Sequence, residues 1–147
     1  MQIQSEIYIH AATGAVWQKF SQVNQWPRWN SQVQEVRWLN NQTLKPWQEG
    51  ARFAIRHQSL FGSTTTKAVV RMCVPANTVV WESSTMGLQI VNSASFSDDA
   101  GGCKLRATHT YHGPMSLIVQ LLRGRQKQLL ETAMQELKEF VEGSPRH

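Results

Sequence analysis

The last quarter of the chain carries one long apolar stripe at helical spacing, and nearly everything before it alternates with period two. Met115, Ile118, Leu122, Leu129, Ala133, Leu137 and Phe140 fall on one face, widened by Val119, Leu130 and Val141. This predicts a helix from about Ser116 to Glu142, opened by Gly113-Pro114, with Glu136 at the stripe's edge and Gly124 in the helix interior. Such a stripe must be covered, and the partner the chain offers is a sheet.

The sheet is read from its alternation. Gln2–His10 sets Ile3, Ile7 and Ile9 among polar residues. Val36 and Trp38 share a face, as do Phe53 and Ile55, then Ala68, Val70 and Met72. Thr78–Ser84 centres on Trp81; Leu88, Ile90, Asn92, Ala94 and Phe96 follow on one face, then Leu105, Ala107, His109 and Tyr111. Turns fall at Leu60-Phe61-Gly62-Ser63, at Pro75-Ala76-Asn77 and at Asp98-Asp99-Ala100-Gly101-Gly102. Between the first strand and the second, Val16, Trp17 and Phe20 mark a short helix that Thr13 can cap. Trp26-Pro27-Arg28-Trp29-Asn30 cannot be a continuous helix interior, because Pro27 lacks an amide donor, and it reads as a tight turn or a one-turn helix with two large anchors. The expected fold class is therefore α+β: a curved antiparallel sheet of about seven strands, two short helices after strand one, and a long C-terminal helix. One domain is expected over residues 1–147.

The formal net charge of +5 raises the question of nucleic acid. Arg52, Arg56, Lys67, Arg71, Lys104 and Arg106 all lie opposite the apolar face of their strands, however. The charge coats an outer, wetted sheet face, and no nucleic-acid partner is expected. No run approaches the ~20 apolar residues of a membrane span; Leu117–Leu122 is already interrupted by Gln120. The start MQIQSEIYIH has no basic segment followed by an apolar one, so a cytoplasmic location is expected. Cys73 and Cys103 form no metal or disulfide pattern and read as reduced thiols. The histidines, at positions 10, 57, 109, 112 and 147, show no ligand spacing, and no metal or cofactor is expected. Neither a phosphate-cradling glycine loop nor a nucleophile elbow is present.

Several features carry a family resemblance: Ile9–Ala12 running into Val16-Trp17, the segment Trp26–Asn30, Gly50 before a strand, Pro75 between strands, and Gly113 before the last helix. With the element order, they make the whole chain resemble the START-like (SRPBCC) helix-grip superfamily, and most nearly the polyketide cyclase/dehydrase and lipid-transport group of small bacterial proteins. The resemblance implies a ligand cavity between sheet and helix. The inward positions agree with it. Ala51, Ala68, Ala94 and Ala107 leave room, while Asn92, His109 and Tyr111 are polar groups that a buried wall must pair.

The expected ligand-binding residues are Phe53, Ile55, Val70, Met72, Trp81, Ile90, Asn92, Ala94, His109, Tyr111, Ile118 and Leu122. His109 and Tyr111, two apart on one strand face, are the weak candidates for acid–base work; Glu35 and Glu82 read as outward. Trp17, Trp26, Trp29 and Trp38 read as anchors for the short helices, with Trp29 open to a place at the cavity mouth. Leu117 and Leu121 lie off the helical stripe beside Arg123, Arg125 and Lys127, a pattern that suits contact with an anionic membrane or headgroup. Three functions follow: binding or transport of a small hydrophobic or aromatic molecule, a cyclase or dehydratase using His109 and Tyr111, and a protein-interaction module with an exposed apolar patch such as Leu60-Phe61.

Overall fold

A computed structural model describes residues 1–39, 43–59, 62–85 and 87–143. Among these, seven strands form one antiparallel sheet in the order β1-β7-β6-β5-β4-β3-β2. The strands are β1 (Gln2–Ile9), β2 (Val33–Trp38), β3 (Arg52–Ser59), β4 (Gly62–Val74), β5 (Thr78–Thr85), β6 (Leu88–Asp99) and β7 (Gly102–His112). Every neighbour in sequence from β2 to β7 is a neighbour in space, and β1 closes on β7. The β6–β7 connection is the two-residue turn Ala100-Gly101, both at positive φ (49° and 84°), the geometry that matches strand twist.

Between β1 and β2 lie α1 (Thr13–Ser21), a 3₁₀ turn (Val23–Gln25) and α2 (Trp26–Trp29), with Pro27 in the first turn where its missing N–H costs nothing. Thr13 does not cap α1. Ala12 holds the cap position without a side-chain bond, and the Thr13 hydroxyl donates instead to Asp98 at the end of β6.

The C-terminal helix is not continuous. It divides at Leu122 (φ −107°, ψ 24°) into α3 (Ser116–Leu121) and α4 (Arg123–Val141), which places Gly124 in the first turn of α4 rather than mid-helix. The buried residues are Val119, Leu130, Met134 and Leu137, so the inner face is turned toward Met134 from the stripe expected at Leu129 and Phe140. α4 is tied down on both sides. Lys138 donates to the Tyr8 carbonyl (2.8 Å) and pairs with Glu142, which in turn accepts the His10 amide (2.8 Å). On the other side the Gln32 side chain donates to the Leu129 carbonyl (2.9 Å), and Glu136 accepts the Ser31 amide. The chain enters α3 through Gly113, whose φ of 99° and whose approach to the Gly87 carbonyl (2.5 Å from where a Cβ would stand) admit only glycine.

One end of the concave face is filled by aromatic rings. Phe53, with no exposed surface, touches Trp26, Trp38, Trp47 and Trp81 at ring separations of 5.1–6.5 Å. Trp47 comes from the β2–β3 connection, where composition marks only a loop. It is held at φ 67°, and its indole N–H donates to the Ser21 carbonyl (2.7 Å). Ala51 and Ala68 are buried in the same core as these rings.

The basic residues lie where expected: Arg52, Arg56, Lys67, Arg71 and Arg106 are exposed on the convex face, Arg71 paired with Glu82 and Arg106 with Glu6. Cys73 and Cys103 are free, and burial raises both thiol pKa values. No helix among the described residues is long and apolar enough to cross a membrane. Leu60, Phe61 and His147 lie outside the described residues.

Candidate functional site

Beyond the aromatic cluster α4 rests on β1, and a cavity of about 420 Å³ lies between the two C-terminal helices and strands β3 to β7. Its floor comes from β3 to β7, its roof from α3 and α4, and its end wall from Trp26, Trp29 and Phe20. Ala94, Ala107 and Ala133 keep it open, because a larger side chain at any of them would project into the space.

Of the residues expected to contact a ligand, Ile55, Trp81, Ile90, Asn92, Ala94, His109, Tyr111 and Ile118 line this cavity. Four others do not. Phe53 and Val70 are fully buried in the packed end. Met72 is 42% exposed, because a bulge between Val70 and Met72 shifts the pairing with β5 and turns Met72 to the convex face, leaving Cys73 opposite buried Val79. Leu122 sits at the break between α3 and α4, off the cavity wall.

The polar wall is richer than alternation suggested. His109 and Tyr111 stand side by side, ring centroids 6.3 Å apart and nearly perpendicular. Tyr111 is buried. Neither ring makes a hydrogen bond through its polar atoms to any described residue. Burial acts on both in opposite senses: it pushes His109 down to about 4 and Tyr111 up to about 12, keeping each neutral. Asn92 is buried and donates its amide to the Trp81 carbonyl (3.3 Å), the Ser83 hydroxyl (3.2 Å) and the Ile90 carbonyl (3.3 Å). The Trp29 indole N–H lies buried without a partner beside the cavity.

Sequence reasoning missed His57, Thr66, Ser83 and Gln126. His57 continues the Phe53–Ile55 face by two residues, so alternation could have found it. Thr66 and Ser83 sit at inward positions disguised by runs of hydroxyl residues. Gln126 lines the cavity at a position that a search for apolar residues skips. Two of the five scattered histidines, His57 and His109, thus face one cavity. Arg125 is the one charged residue on the lining, which among described residues holds no carboxylate.

A curved antiparallel sheet wrapped over a long C-terminal helix, with short helices after the first strand, defines the helix-grip fold. The family model for polyketide cyclase / dehydrase and lipid transport matches residues 1–142, and the chain belongs to that family. No curated protein matches it closely enough to count as a relative. Among solved structures it resembles TTHA0849 from Thermus thermophilus (TM-score 0.79, 14% identity, 99% of this chain and 100% of that one). It also resembles a START superfamily protein from Mycobacterium smegmatis (TM-score 0.79, 12% identity, 98% and 99% covered). A third is the di-domain ARO/CYC StfQ of the steffimycin biosynthetic pathway (TM-score 0.77, 16% identity), of which this chain spans 51%. At these identities the likeness concerns the fold.

Proposed function

We propose that this chain binds a small hydrophobic or aromatic molecule in the cavity and carries it unchanged. The observation that carries this reading is the cavity itself: apolar and aromatic walls, His109 and Tyr111 held neutral, and no carboxylate on the lining among the described residues. A ligand buried there gains roughly 25 cal/mol for each Å² of apolar surface removed from water. Native mass spectrometry of protein from cell extract should find a small molecule retained. Ala107→Phe, which fills the cavity from β7, should release it while the protein stays folded. A protein that retains nothing and binds no lipid, quinone or polycyclic probe would overturn the reading.

A cyclase or dehydratase is the second reading, favoured by the adjacency of His109 and Tyr111 and by the ARO/CYC description of StfQ. It ranks second for a physical reason. An acid–base pair works best with pKa values near the working pH, and burial moves these two away from it in both directions. Turnover of a ketide probe that disappears in His109→Ala would reverse the ranking.

Entry is proposed at α3, with the ligand delivered from or to an anionic membrane. Leu117 and Leu121 are 70% and 85% exposed, and Ile118 is both cavity wall and surface. Arg123, Arg125 and Lys127 follow at once, with no acidic residue in the first turn of α4. Vesicles containing phosphatidylserine should co-sediment the protein at low salt. Leu117→Ser with Leu121→Ser should cut the bound fraction several-fold. Equal binding to vesicles of neutral lipid would refute the membrane contact.

A further inference from the structure

Ala54 on β3 faces the convex side of the sheet, because its neighbours Phe53 and Ile55 both face inward. It is nevertheless only 7% exposed. An alanine on a solvated face is buried when the side chains around it lie over it, and the register names those side chains. Arg37 on β2 stands directly opposite Ala54 on one side, and Lys67 on β4 stands opposite it on the other. Arg52 and Arg56 lie two residues away in each direction along β3. All four are cations, and all four are exposed. Their aliphatic stems cover the methyl group while their charged ends stay in water. On a pleated sheet Arg37 and Lys67 leave the backbone about 10 Å apart, and Arg52 and Arg56 about 13 Å apart, so the four form a cross centred on the alanine.

Little on the protein neutralises this cross. Among the described residues none of the four cations enters an ion pair. Arg37, Arg52 and Lys67 make no side-chain hydrogen bond to a described residue, and Arg56 donates only to the Ser63 hydroxyl, at 3.4 Å. Two carboxylates occupy adjoining strand positions. Glu35 stands opposite Arg56 but does not reach ion-pair distance. Glu82 on β5 has both oxygens occupied, one by Arg71 and one by Gln89. Elsewhere on the convex face the cations are matched: Arg71 with Glu82, Lys104 with Asp99, Arg106 with Glu6. The unmatched charge is thus gathered around one residue. Cations on β2 guard a sheet edge against pairing with another chain. β3 and β4 are interior strands, however, and they carry three of the four.

We propose that Arg37, Arg52, Arg56 and Lys67 form an anion-binding site for a phosphoryl group with two or more negative charges, on the face of the sheet opposite the cavity. The site goes beyond the binding reading above and does not depend on it. Guanidinium forks match phosphoryl oxygens two donors to two acceptors, and three of the four cations are arginines. A single carboxylate brings one charge to four cations; a phosphoryl or pyrophosphoryl group brings two to four. The cross is compact, centred on one alanine, with no continuing row of cations for the backbone of a nucleic acid to follow. A soluble phosphate and a phosphorylated lipid headgroup share this chemistry, and the test separates them.

Isothermal titration calorimetry with inorganic pyrophosphate at low salt, where exposed charges are least screened, gives the first arm. The wild-type protein should bind it saturably and roughly tenfold or more tighter than acetate, the margin of one further charge-assisted hydrogen bond. Arg52→Gln with Lys67→Gln should weaken that binding roughly tenfold or more. Lys104→Gln with Arg106→Gln removes the same charge from the other end of the face and should change it less than about twofold, as expected for a screened, distant pair. The second arm sediments vesicles containing phosphatidylinositol 4-phosphate, in a Leu117→Ser, Leu121→Ser background that removes the α3 contact. Sedimentation that disappears with Arg52→Gln, Lys67→Gln supports the site with a headgroup as its source; pyrophosphate binding without sedimentation supports it with a soluble phosphate. Binding of neither probe overturns the proposal. Equal weakening by the two double variants overturns it as well, because the effect would then be bulk charge. Tighter binding of duplex DNA than of pyrophosphate through these residues overturns it in favour of an extended polyanion.

Discussion

Replacing Phe53 with alanine should lower the free energy of unfolding by about 4 kcal/mol, the range for truncating a fully buried phenylalanine. Phe53 has no exposed surface and sits against four indoles, so the void left behind is walled by large, mutually braced rings that cannot collapse into it. A domain of this size is stable by ~5–15 kcal/mol, so the loss removes a large part of the total. Urea unfolding followed by far-ultraviolet circular dichroism measures it. The variant also separates the two ends of the concave face. Phe53 is not on the cavity wall, but Trp26 and Trp81 are, and both rest on it. Binding should therefore weaken together with stability. A loss below about 2 kcal/mol would mean that the rings repack and that the packed end is softer than its geometry indicates.

Stability should also fall as the pH drops from about 6.5 to about 4. His109 faces the cavity and meets no protein acceptor, and desolvation lowers its pKa from 6.5 to about 4. In that window the unfolded chain binds a proton at this histidine and the folded protein does not. Unfolding thus takes up a proton, and stability rises with pH across the window and is lost toward its acid end. The full displacement corresponds to on the order of 3 kcal/mol. His109→Leu keeps a side chain of similar bulk and removes the titration, so the pH dependence between 6.5 and 4 should flatten. The lowered carboxyls of Glu6 and Glu142, held down first by hydrogen bonds from Arg106 and Lys138, act below 4.5 and survive in the variant. An unchanged slope in His109→Leu would show that the ring is hydrated.

The element order, the strand faces and the placement of the positive charge were legible from the chain alone. All are short-range properties. Alternation follows from the pleat, helical spacing from the helix, and the Ala100-Gly101 turn from glycine's freedom at positive φ. That is why Ile90, Asn92, Ala94, His109 and Tyr111 could be assigned to one inner face before any coordinates. Alternation fails where one residue is inserted. The bulge between Val70 and Met72 reverses the face of Met72, and nothing in Val69-Val70-Arg71-Met72-Cys73 announces it. It also fails where covering a surface takes a residue from elsewhere: Trp47, in a polar loop, packs its indole into the ring cluster against Phe53.

The cavity belongs to the tertiary structure. Inward alanines were equally visible at Ala51, Ala68, Ala94 and Ala107, yet only the last two border open space. The difference is a question of long-range packing. The break at Leu122, the turn of α4 toward Met134, and the convergence of His57 with His109 depend likewise on how sheet and helix meet. The helical stripe that most constrained the chain required a sheet to cover it, because apolar surface must leave water. How much of that stripe the sheet would reach, and what would occupy the remainder, was decided by the size and position of side chains contributed from distant segments.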